Sequence, residues 1–272
     1  MDLWAALLAA VVGYLAGAIS FSRVVVRAVD PDQNLERTTI TTSDGKVRFE
    51  STSVSASVVR LKLGPRYGCL ASSLDMLKVI VPALLFRLWK PDQPYYVLSA
   101  GMGTVGHNWP VYYRFKGGRG MSPILAGMLV MDWLGVLVTQ SIGAVVVLTT
   151  RTMLGLGGPG IALMIPWIWF RTHDWVQLGY VVAMNVFFWW AMRPEMREMR
   201  RLKREGNLET FREAPKVRVL GRRGTEIIQQ ATISSMFWSN LSKLWARKQD
   251  PTGDNDPESA GGGEEKGGWR TD

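Results

Sequence analysis

The sequence predicts an all-α polytopic membrane protein with about seven transmembrane helices, short half-spans among them. Apolar side chains and Trp dominate residues 1–26 and 69–192, whereas residues 27–68 and 193–272 are polar and charged. A soluble domain would instead interleave apolar and polar residues at the period of a helix or a strand. The two polar segments are therefore interpreted as a small cytoplasmic β-like insert and a cytoplasmic tail.

Composition narrows the classes of function. The formal net charge is +9, which is typical of a membrane protein with Lys and Arg on its cytoplasmic side, and also of a protein that handles anions. Nucleic acid is not expected as a partner, because no known nucleic-acid-binding motif accompanies the charge. One cysteine, Cys69, excludes an internal disulfide, and two histidines, His107 and His173, make a metal site unexpected.

The apolar runs give the expected spans. The first is interpreted as a retained helix and not a signal peptide, because its basic residues follow the apolar run instead of preceding it. Residues 121–150 are too long for one ordinary span, so a half-span, a break near DWLG and a second helix are expected there. In chain order the spans are predicted over 3–22, about 70–89, about 95–112, the two parts of 121–150, 161–171 and 175–192.

Charge sets the expected orientation. With seven spans the insert 27–68, the loop 113–120 and the tail share one side, and all three are rich in Lys and Arg, as expected for the cytoplasmic side. A count of five or six spans is also compatible with the sequence. The insert contains TTITTSDGKVRF, which favours a short β-hairpin.

The tail divides into two parts. Residues 206–249 are expected to carry an amphipathic helix within IIQQATISSMFWSNLSKLWARK, either on the membrane surface or packed on the protein. Its apolar face comprises Phe237, Trp238, Leu241, Leu244 and Trp245. Residues 250–272, with GGGEEKGG, are expected to be disordered, and residues 1–205 form the membrane domain.

The stretch GHNWPVYYRFKGGRGMSP, residues 106–123, places charged side chains between apolar runs. Gly117, Gly118 and Gly120 leave backbone N–H groups uncovered, and Lys116 and Arg119 add fixed positive charge. Bare N–H groups and cations form a concave anion site, which suits phosphate. A basic loop that only sets membrane topology explains the same residues equally well.

Three further features are candidates for function. Asp75 and Lys78 lie three residues apart, and either pair with each other or direct Lys78 into a polar cavity. The hydroxyl-rich segment STSVSAS, 51–57, suits either a ligand-binding loop or a solvated strand. His107 fits a proton carrier, a phosphate contact or a structural group. The sequence lacks a Ser-His-Asp order, a CxxC pair and an HExxH motif, so chemistry without a protein nucleophile is favoured.

The stretch around Lys116 closely resembles the second signature of the bacterial acyl-phosphate-dependent glycerol-3-phosphate acyltransferases of the PlsY type. GYLAGAISFS at 13–22 and LGPRYGCLASSLDMLKV at 63–79 are similar to two other segments of this family, in the expected order. The matching residues of the second signature are Gly106, His107, Trp109, Pro110, Phe115, Lys116, Gly117, Gly118, Arg119 and Gly120.

The resemblance implies acyl transfer from an acyl-phosphate to the primary hydroxyl of glycerol 3-phosphate, giving lysophosphatidate and phosphate in phospholipid biosynthesis. It implies no cofactor, and a multi-pass protein of a bacterial cell membrane with its active site and C-terminus in the cytoplasm. Catalytic roles then fall to His107, Lys116 and Arg119. The substrate-binding residues implied are Ser51, Ser53, Ser57, Arg60, Lys78, Asn108, Gly117, Gly118, Gly120 and Glu195.

Two of the family's signatures are altered here. At ESTSVSASV, 50–58, the glycines and asparagines of the first signature are missing, and at MRPEMR, 192–197, Glu195 remains but the His and Asn of the third do not. A non-catalytic or altered-substrate relative that binds phospho-ligands or lipids is therefore a second hypothesis. A third is an anion transporter, which broken helices and intramembrane charges would suit.

Overall fold

A computed structural model describes residues 2–33, 35–42, 45–150, 157–208, 210, 216–220 and 226–230. Helices predominate in these residues. They are α1 Leu3–Ala18, α2 Phe21–Val29, α3 Ala56–Leu63, α4 Pro65–Trp89, α5 Tyr95–Asn108, α6 Met121–Met131, α7 Trp133–Thr150, α8 Gly157–Thr172, α9 Trp175–Ala191 and α10 Arg193–Arg204. The strands are β1 Thr38–Thr42, β2 Arg48–Ser51, β3 Lys216–Leu220 and β4 Glu226–Gln230.

Among the residues that the structure describes, two helices are long and apolar enough to cross a membrane, Leu3–Val29, in which α1 continues into α2, and Pro65–Trp89. The pair α9 and α10, bent by 48°, makes a third if it is counted as one span. The other apolar helices are shorter, so the count of seven spans stays a prediction. The helical segment of the first span extends to Val29 and not to residue 22, and α4 begins at Pro65, five residues before the predicted start.

The predicted break near DWLG is confirmed. Helix α6 ends at Met131 and α7 begins at Trp133. The Asp132 carboxylate accepts hydrogen bonds from the Gly135 backbone N–H at 3.0 Å and from the Trp167 indole N–H at 3.0 Å. In a continuous helix the Gly135 N–H would donate to the backbone carbonyl four residues earlier. The Asp132 carboxylate takes the place of that carbonyl, so α6 ends and α7 begins at this residue.

Small residues bring α1 and α5 close together. A methyl group added to Gly13 or Gly17 would overlap the backbone of Ser99 or Gly103 on α5. Such contacts let two helix backbones approach without intervening side chains, as expected for packing in a membrane. The largest buried cluster joins α4 to α9, with Ile124, Met164 and Phe188 fully buried in it.

The polar insert and the tail form one antiparallel sheet in the order β2-β1-β3-β4. The predicted fold was all-α, with β structure in the insert alone. The two strands of the tail, β3 and β4, correct this prediction. Their signal was the alternation of Val with Lys, Arg and Leu in KVRVL, residues 216–220. The expected tail helix is wrong for Ile227–Gln230, which belong to β4. Its apolar face and residues 250–272 lie outside the described residues.

Candidate active site

A cavity of about 370 Å³ opens beside the glycine-rich loop, defined here as residues 113–120. The loop contributes one wall, the end of α5 the floor, and the insert the opposite wall. The lining residues are Glu36, Arg37, Thr52, Val54, Asn108, Trp109, Phe115, Lys116, Gly117, Gly118 and Arg119.

The glycine-rich loop folds tightly against the end of α5. The Gly118 N–H donates to the His107 carbonyl at 3.2 Å, and the Val54 N–H donates to the Gly117 carbonyl at 3.3 Å. The backbone φ is 52° at Arg114 and 61° at Phe115, a left-handed conformation that non-glycine residues adopt only where the surroundings impose it. The loop is thus held by backbone contacts on both sides, and Gly120 leads directly into α6.

Gly117→Ala is expected to disrupt this loop. A methyl group at Gly117 would overlap the carbonyl oxygens of His107 and Asn108, which are backbone atoms that cannot move aside. We expect the variant to fold with its helices intact but to bind phosphate ligands at least about tenfold more weakly, since misplaced donors lose their hydrogen bonds. Isothermal titration with inorganic phosphate measures this loss. Gly179→Ala, where an added methyl meets nothing within 4 Å, is the control; equal phosphate affinity in both variants would contradict the argument.

Lys116 reaches across the mouth of the cavity to the insert. Its ammonium lies 2.8 Å from a Glu36 carboxylate oxygen, and the Arg23 guanidinium lies 3.5 Å from the same carboxylate. Arg23 also donates to the Lys116 carbonyl at 2.9 Å. The hydrogen bond from Lys116 holds the pKa of the Glu36 carboxyl below its usual range, and the two positive charges add to this effect. The Lys116 side chain is 63% exposed, so the pair is open to solvent and to ligands.

Arg119 joins three segments. Its guanidinium lies 2.8 Å from a carboxylate oxygen of Glu195 on α10, and donates to the Thr52 hydroxyl at 3.2 Å. The other Glu195 oxygen, Oε2, and both polar atoms of the Asn108 side chain are buried without a hydrogen-bond partner among the described residues. Buried polar atoms without partners are costly. Asn108 is among the residues that line the cavity.

His107 and Lys78 lie behind the loop and do not line the cavity. The Lys78 ammonium is 2.7 Å from the Asp75 carboxylate, 3.0 Å from His107 Nδ1 and 2.5 Å from the Ile19 carbonyl. All three side chains are buried. Of the two alternatives for Lys78, the structure therefore has the pair with Asp75. A methyl group on Gly118 would overlap His107 Nε2, which places the imidazole against the loop from below.

The predicted hydroxyl-bearing residues are only partly brought to the site. Ser51 is buried at the end of β2 and Ser53 is buried in the segment after it. Ser57 is exposed in the first turn of α3, and Arg60 is half-buried on the same helix. None of these four borders the cavity, whereas their neighbour Thr52 does.

Residues that sequence reasoning did not assign are Arg23, Glu36, Arg37, Thr52 and Trp109. Glu36 contacts Lys116 across 80 positions of sequence, and Thr52 contacts Arg119 across 67. No spacing in the sequence signals contacts of this length.

Comparison with known proteins gives one consistent family. The family model described as glycerol-3-phosphate acyltransferase matches residues 7–202. A glycerol-3-phosphate acyltransferase of Mycoplasma mycoides is 27% identical over 191 residues, which cover 67% of this chain and 66% of the relative. One from Aquifex aeolicus is 30% identical over 142 residues, 48% of this chain and 67% of the relative. The chain thus spans about two thirds of these relatives' length.

The fold is also similar to a solved one. The crystal structure of PlsY (YgiH), an integral membrane glycerol 3-phosphate acyltransferase, in its glycerol 3-phosphate form, matches with a TM-score of 0.62 and 21% identity. The match covers 74% of this chain and 93% of that one. Its lysophosphatidic acid form matches with a TM-score of 0.61.

Proposed function

Because the chain belongs to the glycerol-3-phosphate acyltransferase family, we propose that it transfers an acyl group from an acyl-phosphate to glycerol 3-phosphate. The observation that carries this proposal is the cavity that Lys116, Arg119, Asn108 and the glycines of the glycine-rich loop line together. Both substrates are phosphate anions that repel each other. Cations and backbone N–H groups at one cavity are the means to hold two such anions together.

The chemistry requires no protein nucleophile. The primary hydroxyl oxygen of glycerol 3-phosphate attacks the acyl carbonyl carbon, and the bond from that carbon to the phosphate oxygen breaks. Inorganic phosphate leaves with the electron pair of that bond, and the hydroxyl proton passes to a substrate phosphate oxygen. Lys116 and Arg119 stabilise the negative charge that develops on the carbonyl and leaving oxygens. His107 supports the loop from below and acts as a positioning residue, since it does not border the cavity.

We place this site at the cytoplasmic surface of a bacterial cell membrane. Seven apolar helices, α1 and α4 to α9, would cross or enter the bilayer, with α6 and α7 as two parts of a broken segment. The insert, the glycine-rich loop and α10 then share the side on which Lys and Arg are concentrated. Residues 1–205 form the acyltransferase domain in this proposal, and the C-terminus is cytoplasmic.

The test uses the purified full chain in detergent, with an acyl-phosphate and glycerol 3-phosphate. We expect release of inorganic phosphate together with formation of lysophosphatidate in equal amounts. Hydrolysis of the acyl-phosphate without lysophosphatidate would contradict glycerol 3-phosphate as the acceptor. Phosphate binding without any turnover would favour the non-catalytic hypothesis instead.

Glu36→Gln is expected to strengthen substrate binding. In the wild type the Glu36 carboxylate occupies Lys116 and Arg23, so a phosphate must displace it. Removing an exposed ion pair of this kind changes binding by about two- to fivefold, and we expect KM to fall by this factor with kcat little changed. Initial rates at varied glycerol 3-phosphate measure both, with Asp92→Asn, on the loop between α4 and α5, as the charge-matched control.

The ion pair between Glu36 and Lys116 is expected to be lost only at acidic pH. Its pKa is lowered in the folded protein, so the ion pair with Lys116 is complete above the usual glutamate value of 4.5 and is lost as the pH falls through the lower folded value. A glutamate carboxyl ordinarily titrates at about pH 4, so the Glu36 carboxylate stays ionised at neutral pH. The KM difference between wild type and Glu36→Gln is therefore expected to be constant from about pH 6 to 8. A difference that disappears within this range would show that the carboxylate does not compete with the substrate.

A further inference from the structure

Helix α10 presents a row of arginines away from the protein. Arg193, Arg197, Arg200 and Arg204 are all exposed and follow one another at spacings of four, three and four residues. At 100° per residue these positions fall within about 60° of the helix circumference. These four residues are called the arginine stripe. None of them forms an ion pair with a carboxylate that the structure describes.

The opposite face of α10 packs against the rest of the protein. Glu195 binds Arg119 at 2.8 Å, and Leu202 is buried against Val47 of the insert. Glu198 pairs with Arg201 at 2.9 Å, and Arg201 in turn donates to the Arg48 carbonyl on β2. These contacts fix the rotation of the helix, so the arginine stripe is held outward by the packing.

The arginine stripe lies next to the end of a membrane helix. Helix α10 follows directly on α9, the last apolar helix that the structure describes, whose final turn exposes Trp189 and Trp190. The Arg193 guanidinium lies over the Trp190 ring, 5.9 Å from its centre. Exposed Trp at the end of an apolar helix is typical of the level of the lipid headgroups. A row of guanidinium groups at this level meets phosphates, which Arg binds with two parallel hydrogen bonds.

We propose that the arginine stripe binds the headgroup phosphates of anionic phospholipids at the membrane surface. The same contact steadies Glu195, since that residue lies on the inner face of the helix and holds Arg119 at the cavity. A membrane rich in anionic lipid then keeps Arg119 in place for the reaction. The lipid contact stands independently of the proposed function, whereas the effect on rate rests on it.

The first experiment measures lipid binding alone. Native mass spectrometry of the detergent-solubilised full chain compares binding of phosphatidylglycerol with phosphatidylcholine. We expect a preference of about tenfold for phosphatidylglycerol in the wild type, and almost none in the triple variant Arg197→Gln, Arg200→Gln, Arg204→Gln. The control variant removes the same charge elsewhere, at the exposed Arg27, Arg66 and Lys90, and keeps the preference. Equal loss in both triple variants, or an unchanged preference in the first, overturns the proposal.

The second experiment measures the coupling to the cavity. Phosphate release is compared in nanodiscs of phosphatidylcholine alone and with about one third phosphatidylglycerol. We expect a severalfold higher kcat in the anionic discs for the wild type and the control variant, and equal rates in both discs for the arginine-stripe variant. No activity in any disc would count against the proposed function only. Lipid-independent rates in an active wild type would overturn the coupling, whatever the binding experiment shows.

Discussion

Lys116→Ala is expected to lower kcat/KM for acyl transfer by about 100- to 1,000-fold. The side chain supplies a mobile positive charge at the cavity that the glycine-rich loop lines. Two phosphate anions must come within bonding distance of each other, so the loss of this charge raises both the binding and the chemical barrier. Arg119→Ala is expected to have an effect of similar size, because the same change also releases Glu195 and Thr52.

The measurement is the initial rate of phosphate release at varied concentrations of both substrates. Lys90→Ala, outside the cavity on the loop after α4, is the matched control and is expected to keep the wild-type rate. Lys116→Arg is expected to restore part of the lost activity, since it keeps the charge but not the reach of the ammonium group. Rates close to wild type in both alanine variants would remove Lys116 and Arg119 from the mechanism.

Much of the membrane architecture was accessible from the sequence, because long apolar runs have few structural solutions. The break at Asp132 followed from a run too long for one span, and the glycine-rich loop followed from a dense group of glycines and cations. The tail strands were missed since KVRVL is short and lies among charged residues, where helix and strand signals compete. Pairing of β1 with β3 is a contact between distant segments that local pattern does not determine.

Of the residues that line the candidate cavity, the central ones were named from the sequence and those at its edges were missed, for a related reason. Lys116, Arg119 and Asn108 lie in one continuous stretch, and their neighbourhood in sequence is also their neighbourhood in space. Glu36 and Thr52 reach the cavity only through the folding of the insert over the loop. His107 and Lys78 are buried and do not border the cavity, and their depth could not be predicted because it depends on how α1, α4 and α5 pack.

The buried cluster of Asp75, Lys78 and His107 is expected to dominate stability. Asp75→Ala would leave the Lys78 ammonium, with its side chain 3% exposed, without its carboxylate 2.7 Å away. Removing one partner of a buried ion pair costs about 3–5 kcal/mol, since the remaining charge stays desolvated. For a membrane domain of this size we expect the melting temperature in detergent to fall by about 10 °C.

A second variant separates the unpaired charge from simple loss of packing. In Asp75→Leu with Lys78→Met both charges are replaced by apolar groups of similar volume, and such replacements of buried pairs are often neutral or stabilising. The double variant is therefore expected to melt close to the wild type, while its activity falls because His107 loses the Lys78 contact at 3.0 Å that orients its ring beneath the glycine-rich loop. A double variant as unstable as Asp75→Ala would show that the ion pair itself stabilises the fold, and that the cost of Asp75→Ala is not the unpaired Lys78 charge. If the double variant melts like the wild type but loses activity, the three polar side chains position the glycine-rich loop and do not stabilise the fold.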